Sequence, residues 1–167
     1  MSKIIFIDID GVLNSFDSMW ALHAAWKDGI GVSRDAYGQL FDQRCVTWLK
    51  HIIDRTGAQI VISSTWRAKG LLHMKQMWVD RSLPGVVAGV TPHVVDDRGL
   101  FLQYPDINPS WRGFEIQQWI NTNLPERYVI LDDESDMLPH QTFVQCKSEF
   151  GITKIEANKV IALLNGN

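Results

Sequence analysis

Ile4-Ile5-Phe6-Ile7-Asp8-Ile9-Asp10-Gly11-Val12 is the stretch on which the reading of this chain turns. Its first four residues are β-branched or aromatic and carry no polar face, the pattern of a short strand buried on both sides. The strand is placed at residues 3–8. Side chains alternate along a strand, so Asp8 and Asp10 are expected on one side, about 6–7 Å apart. Carboxylates at the end of a buried strand are expensive to desolvate. They point to a bound cation or to chemistry. Gly11 lets the backbone turn sharply behind them.

Working outward, residues 14–40 are irregular and polar-aromatic, with a short helix near 18–27. Cys45, Trp48, Leu49, Ile52 and Ile53 recur at three- and four-residue steps and predict a helix over 42–56, stopped by Gly57. Ala58 to Ile62 is a second buried strand, ending in Ser63-Ser64-Thr65-Trp66-Arg67. Residues 68–80 read as a helix closed by Leu83-Pro84-Gly85. Val86 to Val95, broken by Gly89 and Pro92, reads as a weaker strand or strand pair, and residues 96–111 as loop. Phe114 to Ile120 predicts a helix with Ile116, Trp119 and Ile120 on one face. Tyr128 to Leu131 is a third buried strand, followed at once by Asp132-Asp133-Glu134-Ser135-Asp136. Thr142 to Gln145 is a further short strand. Thr153 with Glu156 forms a capping box for a last helix through about Leu164. Strands alternating with helices predict a parallel sheet covered on both faces, an α/β domain.

Three buried strands thus end in polar groups: Asp8 and Asp10, then Ser63 and Ser64, then Asp132 and Asp133. Parallel strands present these ends at one edge, where the sites of such sheets lie. Oxygen ligands with no nearby His or Cys cluster favour Mg²⁺ over Zn²⁺. The serine doublet suits a helix cap as well as phosphate binding. Arg112 suits a solvated charge opening a helix, and the acidic doublet suits a turn. Trp48 and Trp119 lie on apolar stripes and read as core. Trp66 and Trp111 adjoin these motifs and suit either rim packing or stacking on a base. The five His are scattered and read as surface or core polar groups.

These motifs resemble those of the haloacid dehalogenase (HAD) superfamily of phosphohydrolases, across Asp8 to about Asp136. More narrowly, Ile62-Ser63-Ser64-Thr65-Trp66-Arg67, Arg112-Gly113-Phe114-Glu115-Ile116 and Ile130-Leu131-Asp132-Asp133 resemble a compact HAD subgroup found in RNA-repair contexts. The resemblance implies a Rossmann-like, three-layer α/β fold with a mainly parallel sheet. It implies that Asp8 is a nucleophile forming an aspartyl-phosphate and that Asp10 is the general acid and then base. It implies that Ser63 or Ser64, with Ser64 favoured by position, binds the phosphoryl group. A basic residue neutralises it: Arg112 is chosen, with Arg67 or Lys69 as rivals. Mg²⁺ would be held by Asp8, the Asp10 carbonyl and Asp133, supported by Asp132 or Asp136. Residues 14–41 leave room only for a minimal cap or specificity loop, so the chain reads as one capless or minimally capped domain over 1–167. The open cleft and the subgroup resemblance suggest a phosphate on a nucleotide or nucleic-acid end.

Composition bounds these expectations. The 167 residues suffice for one domain with a real core. With 46% apolar and 21% charged residues the chain is an ordinary globular protein. A net charge of -3 argues against broad attraction to nucleic acid, though not against a local basic patch. Cys45 and Cys146 have no metal-type spacing and read as reduced thiols. The first apolar run is too short for a membrane span or signal peptide, so a cytoplasmic protein is expected; the resemblance implies a Mg²⁺-dependent phosphatase. A phosphate-accepting receiver module and a non-catalytic HAD-like binding protein are the rivals. A receiver would carry its acceptor on a middle strand, and the middle apolar strand here ends in serines.

Overall fold

The computed structural model describes residues 2–93 and 111–166. Its centre is a five-stranded parallel sheet, with β1 (Lys3–Ile7) in the middle. β4 (Gln59–Ile62) and then β5 (Val87–Val90) lie on one side of it. β6 (Arg127–Asp132) and then β7 (Phe143–Gln145) lie on the other. This is the Rossmann-like α/β architecture expected from the alternation of apolar strands and helices.

The register decides where the site forms. Ile7 stands opposite Ile62 on β4 and opposite Leu131 on β6. The next residue of each strand, Asp8, Ser63 and Asp132, therefore falls in one row at the carboxyl edge. Backbone bonds fix the row: Asp8 N–H donates to Leu131 C=O at 3.0 Å, and Ser63 N–H to Ile7 C=O at 3.0 Å.

Strand alternation divides the core into two layers. Ile5, Ile7, Val129 and Leu131 face α2 (Gln43–Thr56), α3 (Leu71–Asp80) and α5 (Lys154–Asn165), meeting Leu49, Ile52, Met77, Val160 and Leu164. Ile4, Phe6 and Ile130 face α4 (Arg112–Asn123), meeting Ile116 and Trp119. Phe6 is fully buried, with edge contacts to Trp119 and Tyr128 at ring distances of 5.3 and 5.9 Å. Trp48 and Trp119 pack partly buried against these cores, as the stripes predicted.

Local signals account for the element ends. Asp42 caps α2 by accepting from Arg44 N–H, and Gly57 closes that helix at φ 65°. The Thr153–Glu156 capping box forms at the start of α5. The helix expected over 68–80 is instead a 3₁₀ turn, Thr65–Lys69, followed by α3. Gly70 at φ 88° separates the two, a conformation that breaks the helix and favours glycine. The strand expected over 86–95 is β5 alone. Pro92 offers no N–H to continue the ladder, and Val94 and Val95 lie outside the described residues, as does all but Trp111 of the 96–111 loop.

Between β1 and α2 the chain forms α1 (Phe16–Lys27) and a two-residue hairpin, β2 (Arg34–Asp35) with β3 (Gly38–Gln39). No residue of α1 is buried. Its Trp20 is 74% exposed. No described helix is long and apolar enough to cross a membrane.

Candidate active site

The row at the sheet edge brings Asp8 and Asp132 together on the α4 side. Both are buried, Asp132 completely. Arg112, the first residue of α4, reaches between them. Its Nη1 lies 3.3 Å from Asp8 Oδ2 and 3.1 Å from Asp132 Oδ2. Burial opposes the Arg112 charge, but Asp8, Asp132, Asp136 and Glu115 outweigh it and hold the guanidinium firmly protonated.

The acids feel one another. Burial raises the Asp8 carboxyl above the usual range, while Arg112, the Ser64 hydroxyl and the Ile9 N–H pull it back. Burial first, and the Asp8 charge second, push Asp132 up to about 8. Asp132 is nevertheless well held: Oδ1 accepts from Glu134 N–H and Oδ2 from Arg112.

Asp133 completes the cluster. One carboxylate atom from each of Asp8, Asp132 and Asp133 lies within 4.8 Å of the others. Asp133 Oδ2 accepts from Ser148 Oγ at 2.8 Å. Gly11 makes room for it: a Cβ there would stand 2.2 Å from Asp133 Oδ2, and the φ of +74° disfavours any side chain. The set is all oxygen and mutually repulsive when ionised. An all-oxygen, carboxylate-rich donor set fits a hard divalent ion.

The other expected site residues fall in different places. Asp10 was expected on the same side as Asp8. The strand stops at Ile7, so alternation does not extend that far. Asp10 is exposed; its carboxylate accepts from Asn14 Nδ2 at 2.9 Å and from Trp66 Nε1 at 2.9 Å. Asp136 lies outside the three-acid group, half-buried, with Oδ1 buried and without a hydrogen-bond partner among the described residues. Burial raises its carboxyl, and Arg112 opposes this.

The serines diverge. The Ser64 hydroxyl favours the charged form of Asp8 and accepts from Trp66 N–H at 3.4 Å, so it borders that acid and caps the 3₁₀ turn at once. Ser63 Oγ is buried and has no partner among the described residues. Arg67 is enclosed instead of facing the acids. It pairs with Glu115 at 2.5 Å and donates to the carbonyls of Ser63, Ser64 and Thr91. Lys69 is exposed at the end of the turn. A cavity of about 550 Å³ lies beside Arg112; Thr65, Arg67, His93, Trp111, Glu115 and Asp136 also line it. Glu115, Asn14 and Ser148 were not singled out by sequence. Glu115 sat in a quoted motif, one helical turn after Arg112, whereas Ser148 left no local signal.

Residues 4–157 match the family described as the HAD domain in Swiss Army Knife RNA repair proteins. The chain belongs to this HAD family. No curated protein matches it. Membership of the HAD domain points to phosphohydrolase chemistry. It also accounts for the pattern at the sheet edge, an aspartate pair, a serine end and an acidic doublet on three neighbouring strands.

Proposed function

We propose that this HAD domain is a Mg²⁺-dependent phosphomonoesterase that works through an aspartyl-phosphate on Asp8 and takes phosphate at a nucleotide or nucleic-acid end. The observation that carries the reading is the meeting of Asp8, Asp132 and Asp133 within 4.8 Å, with Arg112 set between the first two.

A carboxylate is a competent nucleophile at neutral pH and needs no base. In the first half-reaction an Asp8 oxygen bonds to phosphorus as the ester P–O bond breaks, and a proton on Asp10 passes to the leaving oxygen. In the second, a water oxygen bonds to phosphorus, its proton passes to Asp10, and the Asp8–phosphorus bond breaks. Phosphate leaves and both aspartates are restored. Ser64, with Ser63 behind it, donates to the phosphoryl oxygens. Arg112 offsets their charge, and Asp132 orients Arg112. Arg67 holds the loop that carries both serines. When bound, a divalent cation held by Asp8, Asp133 and the Asp10 carbonyl, with Asp132 and Asp136 in support, neutralises charge in a transition state governed by positioning and electrostatics. Residues 14–41, α1 and the hairpin, form the minimal cover of an open cleft. That openness and the family's RNA-repair setting support a nucleic-acid end as substrate.

The test is turnover of a panel of 3′- and 5′-phosphorylated oligonucleotides, mononucleotides, phosphopeptides and sugar phosphates, with Mg²⁺ and with chelator. Oligonucleotide or nucleotide phosphates should turn over best. Efficient turnover of sugar phosphates alone would refute the substrate class. Asp8→Asn should lower kcat by about 10⁴-fold or more at unchanged melting temperature, the scale seen when a nucleophile is removed. Substantial remaining turnover would take that role from Asp8.

A further inference from the structure

We infer that Trp66 is a positioning residue that sets the orientation of the Asp10 carboxylate. The inference rests on the reading of Asp10 as proton donor and acceptor, and it gives Trp66 a task other than stacking on substrate.

Asp10 is exposed, and the χ2 torsion of an aspartate is broad and roughly two-fold. Left alone, its carboxylate would turn freely. Here each oxygen has its own donor. Asn14 Nδ2 holds Oδ1 and the Trp66 indole N–H holds Oδ2, each at 2.9 Å. Two donors from separate segments define the plane of the group. Asn14 belongs to the same tight loop as Asp10, with Gly11 N–H donating to Asn14 C=O at 2.9 Å. Trp66 comes from beyond β4 and so ties the acid to a second strand end.

The indole itself is held from three sides. Its ring stands edge-on to Phe41 with centroids 5.6 Å apart. The Arg81 guanidinium lies 5.7 Å from its ring and 4.5 Å from that of Phe41. Gly38 of the hairpin adjoins its far edge, so closely that a Cβ there would come within 3.3 Å of Cη2. Arg81 is fixed in turn by Asp35, at 2.7 and 2.9 Å, and by the Gly38 carbonyl at 3.2 Å. The hairpin between β1 and α2 therefore braces the indole that braces the acid.

An indole N–H donates and never accepts. Asn14 Nδ2 likewise only donates, so both oxygens accept while the contacts last and the pair fixes the plane in which the transferable proton is presented. Losing the contact frees the torsion without removing the proton. The defect should therefore be graded by how much the leaving oxygen needs protonation. The ratio kcat/KM covers steps up to departure of that group and isolates this need.

The experiment measures kcat/KM for aryl phosphates of increasing leaving-group pKa and for an alkyl phosphate, in wild type, Trp66→Phe, Asp10→Asn and the double variant. Phenylalanine keeps a ring between Phe41 and Arg81 and removes the N–H. The alkyl phosphate should lose about 10- to 100-fold in Trp66→Phe, and p-nitrophenyl phosphate less than about 3-fold. Asp10→Asn should show the same grading more strongly, and Trp66→Phe should add less than about 2-fold to it. Equal loss across all leaving groups, or full additivity with Asp10→Asn, overturns the inference. If Trp66→Phe does not fold, 3-benzothienylalanine incorporated at position 66 replaces N–H by sulfur at nearly constant shape and is judged by the same criteria. Wild-type protein that hydrolyses no phosphomonoester overturns the phosphatase reading and this inference together; an active wild type with an ungraded Trp66→Phe overturns this inference alone.

Discussion

Arg67 and Arg112 are both candidates by sequence for neutralising a phosphoryl group, and both lie near Glu115. Their surroundings assign them to different tasks. The Arg67 side chain is 4% exposed and spends its donors on Glu115 and on three backbone carbonyls. The Arg112 side chain is 16% exposed and lies against Asp8 and Asp132; both arginines border the same cavity. Burial lowers the pKa of Arg67, partly offset by Glu115, whereas the surrounding acids raise that of Arg112 over the opposing effect of burial. A charge matched by its own counter-ion and carbonyls holds a loop in shape. A single cation among several carboxylates can serve an incoming anion.

The widest separation should come from Arg67→Met. Breaking a buried pair strands Glu115 and costs about 3–5 kcal/mol, or about 6–20 °C in melting temperature for a chain of this size. Arg67→Met with Glu115→Leu should recover most of it. A variant that melts normally but has lost turnover would reverse the two assignments. Arg112→Ala should act on rate, lowering kcat/KM by about 10²–10³-fold, equivalent to about 2.7–4 kcal/mol. A loss below about 5-fold would move the neutralising role to another base such as Lys69. Glu115→Gln should be milder, about 1–3 kcal/mol in stability, because a neutral amide still accepts from Arg67. If it lowers turnover as much as Arg112→Ala, the two arginines work as one unit.

A smaller, pH-dependent effect sharpens the contrast. Burial pushes the Cys45 thiol up to about 12 and Cys146 higher still. Free cysteine ionises near 8.5. Above that pH the unfolded chain has lost protons that the folded chain keeps, so stability is complete below about 8.5 and declines toward 12. The slope is at most about 1.4 kcal/mol per pH unit for each thiol. Denaturant melts between pH 8 and 10 measure it, and thiol labelling at pH 8 should be slow in native protein. Arg67→Met should speed that labelling and Arg112→Ala should leave it near wild type. The opposite order would contradict the assignment of Arg67 to structure.

Much of this was legible along the chain because it depends on neighbours in sequence. Apolar runs ending at Ile7, Ile62 and Leu131, the Cys45–Leu49–Ile52 stripe and the Thr153–Glu156 box all act within a few residues. The parallel register then follows from the order of elements, and with it the meeting of Asp8, Ser63 and Asp132. What stayed hidden depends on partners far away in sequence. Nothing near Arg67 shows that Glu115 will neutralise it from α4. Nothing near Asp133 shows that Ser148 will bond it. Asp10 was read by strand alternation, but the strand ends at Ile7, three residues before it, so its link to Trp66 could not be foreseen.

The ladder between β1, β4 and β6 has a consequence for how such a protein changes over time. Asp8 and Ser63 are tied to adjoining strands by peptide groups alone, through Leu131 C=O and Ile7 C=O. Main-chain bonds are indifferent to which side chains surround them. The spacing of Asp8 and Ser63 is thus inherited with the sheet, while the unburied α1 can be rewritten for another client molecule without resetting it.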